Sequence, residues 1–79
     1  MTKWEYCYIE VPVTYSGNTS FLSAYCFLQY AGQDDPEKHH REHLMTLIAD
    51  LGEAGWEMVN YTCTPHQKPS NYFFKRPKS

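Results

Sequence analysis

The chain is short of cationic charge, of cysteine and of long apolar runs, and each shortage removes a class of function. Seven Lys and Arg stand against nine Asp and Glu, a formal net charge of −2 with neutral histidines. Affinity for nucleic acid comes mostly from Lys and Arg on phosphates, so this balance argues against a polyanion partner. The one basic cluster is Lys75, Arg76 and Lys78. No apolar run approaches the ~18 residues of a membrane-spanning helix. Met1-Thr2-Lys3 leads into a strand pattern rather than a signal peptide, so a cytoplasmic protein without membrane contact is expected. The three cysteines, Cys7, Cys26 and Cys63, form an odd set with no CxxC. Buried reduced thiols on strands are therefore expected, not a disulfide framework. The sequence also lacks G-x-S-x-G, P-loop and dinucleotide fingerprints, and no Cys has a His near it in sequence to make it a nucleophile.

Aromatic residues are abundant: seven Tyr, four Phe and two Trp make up 16% of 79 residues. One domain spanning 1–79 is expected, near the lower size limit for an independent core. A chain this short buries only ~60% of its unfolded surface, and its core supplies ~3–5 kcal/mol at most.

Leu44, Leu47, Ile48 and Leu51 recur at i, i+3, i+4, i+7 and define one helix face. Asp35 suits an N-cap, Pro36 the first helical position and Glu37 the positive end of the helix dipole, so the helix is predicted to start there. It should run to Glu53 or Ala54, with Gly55 as the left-handed cap. Strand patterns occupy Trp4–Tyr15 (with Pro12 a break or edge), Phe21–Tyr30, Trp56–Thr64 and Asn71–Arg76. Ser16-Gly17-Asn18-Thr19 reads as a hairpin turn and 65–70 as a loop. The expected fold is α+β, ordered β-β-α-β-β, with a four-stranded mainly antiparallel sheet and one helix on one face. One helix shields one face, yet both strand faces carry bulky apolar residues. The uncovered face is expected to pack on another copy, most simply as a dimer.

Three segments resemble a small bacterial domain-of-unknown-function family. They are the strand Trp4-Glu5-Tyr6, the helix end Leu51-Gly52-Glu53-Ala54-Gly55-Trp56-Glu57 and the aromatic, basic strand Tyr72-Phe73-Phe74-Lys75-Arg76-Pro77. The resemblance covers about half the chain and leaves out Pro12 to His43. It implies a compact α+β domain and no activity.

His39 and His43, four apart on the predicted helix, would share a face at a spacing that can hold a metal, with His66 as third ligand. Zinc is the ion such a site would take; a solvated helix start is the plainer account of the same residues. Glu5, Glu10 and Glu57 lie on strands, and the two in Trp-Glu contexts would make a carboxylate pair if they faced one another; solvent-facing strand positions are the plainer reading. Trp4 and Trp56 read as core or interface anchors. Phe73, Phe74, Lys75 and Arg76 are a weak match to a base-stacking, phosphate-holding motif. These residues lead to a non-enzymatic, self-associating module that binds a protein or a small, anionic or nucleotide-like ligand. Trp4, Tyr6, Tyr25, Arg41, Lys75 and Arg76 are its candidate binding residues. The alternative is a small metal-dependent hydrolase using His39, His43 and His66.

Overall fold

The computed structural model describes residues 2–17, 19–62 and 70–78. Among these residues seven strands and one α-helix follow in the order β1 (Trp4–Val11), β2 (Val13–Ser16), β3 (Thr19–Leu22), β4 (Tyr25–Tyr30), β5 (Glu37–His40), α1 (Leu44–Glu53), β6 (Glu57–Thr62) and β7 (Ser70–Pro77). The fold is α+β. Five strands form one antiparallel sheet in the order β5-β4-β1-β7-β6, and β2 and β3 form a separate two-stranded ribbon. The four-stranded, β-β-α-β-β expectation is corrected on both counts.

The first correction comes from Pro12. A proline has no N–H for the ladder, so the long predicted strand stops at Val11 and resumes at Val13. Its partner breaks opposite, between Leu22 and Tyr25, and Ser23 N–H donates to Pro12 O at 2.8 Å to hold the two halves in line. The ribbon closes through Ser16↔Thr19, with Gly17 at φ 62°. It prolongs the β1–β4 hairpin, and the longest dimension reaches 50 Å against 23 and 20 Å.

The second correction concerns residues 35–43. Glu37–His40 is an edge strand rather than the first helical turn, with Cys26↔His39 and Phe27↔Lys38 in register. Arg41–His43 forms a 3₁₀ turn, and α1 begins only at Leu44. The Asp-Pro-Glu start signal is worth about 1 kcal/mol locally. The unpaired outer edge of β4 offers four residues a full ladder, and tertiary pairing prevails over propensity. A short, charged edge strand also discourages sheet-to-sheet aggregation.

At its other end the helix stops as read. Gly55 adopts φ 91°, Gly55 N–H donates to Gly52 O (3.0 Å) and Trp56 N–H to Leu51 O (2.9 Å). That is the Schellman pattern, and its usual apolar contact is present because Leu51 and Trp56 are both in the core.

The core lies between α1 and the sheet. Cys7, Ile9 and Val11 of β1, Cys26 and Leu28 of β4 and Phe74 of β7 point toward the helix and are buried. Leu44, Leu47, Ile48 and Leu51 pack from above. Among the described residues no helix is long and apolar enough to cross a membrane.

Candidate functional site

Strand alternation sorts the side chains of β1 onto two faces. The odd residues go to the core, and Trp4, Tyr6 and Tyr8 stand on the side away from α1. Register carries this across the sheet: Tyr8 lies opposite Phe73, Tyr6 opposite Lys75, and Glu10 opposite Phe27. Trp4, Tyr6, Tyr8, Tyr25, Val59 and Phe73 all keep more than a third of their surface in solvent. Tyr6, Tyr8, Val59 and Phe73 surround a pit of about 120 Å³ that also touches Cys7, Ala31 and Phe74. The Tyr8 and Phe73 rings lie 5.9 Å apart, within the usual range for aromatic pairs. Val59 reaches the pit because the β6–β7 register shifts between Met58 and Asn60.

Two lysines cover part of this face. Lys75 Nζ sits 4.2 Å from the Trp4 ring centroid and Lys38 Nζ 4.1 Å from that of Tyr25. Each such contact at an exposed site is worth ~0.5–1 kcal/mol. His40 packs on the same Tyr25 ring at 5.2 Å. Two patches therefore result, Trp4-Tyr6-Lys75 toward one end and Tyr25-Lys38-His40 on β4 and β5.

The predicted ligand residues split between the faces. Trp4, Tyr6, Tyr25 and Lys75 share the open face. Arg76 lies on the helix side, where its Nε–H donates to Glu5 Oε1 (2.5 Å) and its Nη1 to Ala54 O (2.9 Å). Its guanidinium also lies 4.4 Å over the buried Trp56 ring. Arg41 is held at the strand-to-helix corner by its N–H, which donates to Ala24 O at 2.8 Å. Glu57 lies opposite Lys75 and Glu5 opposite Arg76, so the two Trp-Glu carboxylates are on opposite faces.

The histidines do not share a helix face. His39 is on β5, its Nε2 3.2 Å from Glu37 Oε1, and His43 ends the 3₁₀ turn. The imidazoles that meet are His40 and His43, with centroids 6.0 Å apart and nearly perpendicular rings. His66 lies outside the described residues. Among the described residues no group of three or more His, Cys, Asp or Glu is placed to hold a metal ion.

A cleft of about 520 Å³ lies on the opposite side, between α1 and the sheet. Leu28, Leu47, Leu51 and Trp56 supply apolar walls, while Glu5, Tyr30, Gln33, Glu37, Asp50 and Arg76 supply polar ones. The Tyr30 ring is 5.9 Å from that of Trp56. Burial, and then the Glu37 carboxylate, push the Tyr30 phenol up. Burial also pushes the Cys7 thiol from 9.0 to about 11 and raises that of Cys26, so neither is a ready nucleophile.

Tyr8 and Val59 are not among the residues singled out in the sequence, and Phe73 enters there only through the base-stacking motif. The alternation in Trp4–Val11 places Tyr8 beside Tyr6, but only the β1–β7 pairing reveals Phe73 as its neighbour. Comparison with known proteins finds no matching family model, no similar curated protein and no similar solved structure.

Proposed function

We propose that this protein is a non-enzymatic binding module that self-associates through the sheet face left open by α1. The observation that carries the reading is the aromatic surface of Trp4, Tyr6, Tyr8, Tyr25 and Phe73 around an apolar pit, with α1 packed on the other side of the sheet. Clustered apolar exposure of this kind marks an interface.

The occupant we assign is a second copy. Five strands of four to eight residues, ~4.8 Å apart and rising ~3.3 Å per residue, present roughly 500 Å² of projected face. Side-chain relief raises the accessible area toward the ~800 Å² per partner of a standard interface. The face is rimmed by both signs of charge, with Lys38 and Lys75 against Glu10 and Glu57. A two-fold arrangement can therefore match it to itself without accumulating like charge. The same pairing adds the apolar burial that a 79-residue core lacks.

The likeness to the domain-of-unknown-function family belongs to this reading and assigns it no activity. A protein or small anionic ligand would bind at the margins of the dimer, near Lys75 or the Tyr25-Lys38 patch. Molar mass in solution tests the proposal. A dimer that dissociates on dilution, together with protection of Tyr6 and Phe73 amides and rings at high concentration, is expected. A monomer at every accessible concentration would overturn it.

A further inference from the structure

The cleft beneath α1 lies on the face opposite the proposed interface, and its electrostatics are unbalanced. Its volume of about 520 Å³ falls within the ~300–1,000 Å³ of small-molecule sites. One wall is the last turn of α1, contributing Asp50, Leu51 and Ala54. A helix C-terminus carries about half a negative charge, normally balanced by Lys or Arg in the last turn. Here the last turn has no basic residue, and Asp50 and Glu53 add carboxylates at that same end. The cation that reaches it is Arg76 from β7, through Ala54 O, and its charge is already shared with Glu5. Glu37 from β5 faces the same space, its carboxylate meeting His39 outside it. Lining charges thus amount to three carboxylates against one guanidinium, beside a negative helix end.

The apolar part of the cleft is equally specific. Trp56, with Arg76 over its ring and Tyr30 tilted at 50° beside it, contributes an aromatic edge to the wall, and Leu47 and Leu28 continue it. We infer that this cleft binds a small organic cation, a primary ammonium carried on an apolar or aromatic body. The ammonium sits among Asp50, Glu37 and the α1 carbonyl end, while the body lies along Trp56 and Leu47. Anionic ligands are repelled by the same groups. The site is separate from the aromatic face: of its lining residues, Ala31 alone also touches the open-face pit.

Phenethylammonium and 3-phenylpropionate make a matched pair of probes, equal in ring and chain and opposite in charge. Binding is read by the fluorescence of Trp56 in a Trp4→Phe background, with full-length protein and low salt. The expected result is saturable binding of the ammonium, at least several-fold tighter than the carboxylate. Asp50→Asn should weaken it about fivefold, the size of one ion pair at contact distance in a water-like dielectric. Asp50 is exposed, so the substitution leaves folding intact. Chemical shifts of the Leu47 methyls place the probe without reference to any variant. Equal response to both probes, an unchanged constant in Asp50→Asn, or shifts at Tyr6 and Phe73 in place of Leu47 would each overturn the proposal. Dimer formation is measured separately, so either idea can fail alone.

Discussion

Tyr6→Glu is the sharpest test of the open-face interface. Tyr6 is 52% exposed and stands opposite Lys75 on the neighbouring strand. In the isolated protomer a glutamate there faces a lysine, and opposite charges across strands are mildly favourable. The monomer should therefore fold as before. In the dimer that position is covered. A tyrosine has roughly 200 Å² of surface, so about 100 Å² remains for the partner to bury, or ~2.5 kcal/mol at ~25 cal/mol/Å². A two-fold interface meets the residue twice, giving roughly 5 kcal/mol. Ordering costs reduce that figure, and a loss on the order of a thousandfold in dissociation constant follows. Sedimentation equilibrium across a wide concentration range separates the 9.3 kDa protomer from the dimer. Met45→Glu on α1, more exposed still, is the control and should change nothing. A wild-type dimer whose constant moves less than about threefold in Tyr6→Glu, below ~0.7 kcal/mol, would show that the interface lies elsewhere.

The remaining predictions concern the fold. Ile9→Ala, at a fully buried position in the middle of β1, should cost ~2–5 kcal/mol. That loss rivals the whole core of so small a domain, so a cooperative urea transition at wild-type midpoint would contradict the core assignment. Gly55→Ala and Gly52→Ala should shift stability in opposite directions although an added Cβ meets nothing within 4 Å at either site. Gly55 needs φ 91° and should lose ~1–2 kcal/mol, whereas helical Gly52 should gain ~0.5–1 kcal/mol. Thermal melts of the pair that moved together would refute the cap. The Cys7 thiol, near 9.0 when unfolded and about 11 when folded, binds its proton more tightly in the native state. Its contribution to stability is complete below pH 9 and falls as pH rises from 9 to 11. Cys7→Ala should flatten that part of the stability–pH curve, and an unchanged slope would mean the thiol is not shielded.

The parts of the fold that were legible in the sequence are those set by local chemistry. The apolar stripe of Leu44–Leu51, the glycine stop at Gly55 and the alternation of Trp4, Tyr6 and Tyr8 with Glu5, Cys7 and Ile9 each act within a few residues, and each appears as read, although the strand predicted to reach Tyr15 stops at Val11. Residues 35–40 were misread because their cap signal is local while the force that makes them a strand is not. Only the vacancy along β4 explains β5, and no residue near Glu37 reports it. The open face was legible as a surplus of aromatics, but its composition was not. Tyr8, Phe73 and Val59 come from three strands, and a bulge brings the last into reach. Arg76 was grouped with Lys75 by adjacency, although neighbours on a strand point to opposite faces. The histidine spacing was sound only for a helix, and the strand at His39 changed its meaning.

The central strand of the sheet, β1, has β7 as its neighbour, and these are the first and last of the described strands. β1 pairs with β7 from Trp4↔Pro77 to Val11↔Ser70, and Lys78 N–H donates to Lys3 O at 2.8 Å. Nearly every other element is strung between them. The floor under the helix is complete only once that long-range closure has formed, because Phe74 is part of it beside Cys7 and Ile9. Loop closure is costly before the contacts that reward it, and chains built on distant pairings fold slowly. On a ribosome, β1 must wait until β7 has emerged before the edge facing it is filled. During that interval the aromatic strand Trp4–Val11 is an exposed template, and the β1–β4 hairpin alone guards it. The same adjacency brings Lys3 and Lys78 together, so a short linker joining these two residues would turn a late, distant encounter into an early, local one.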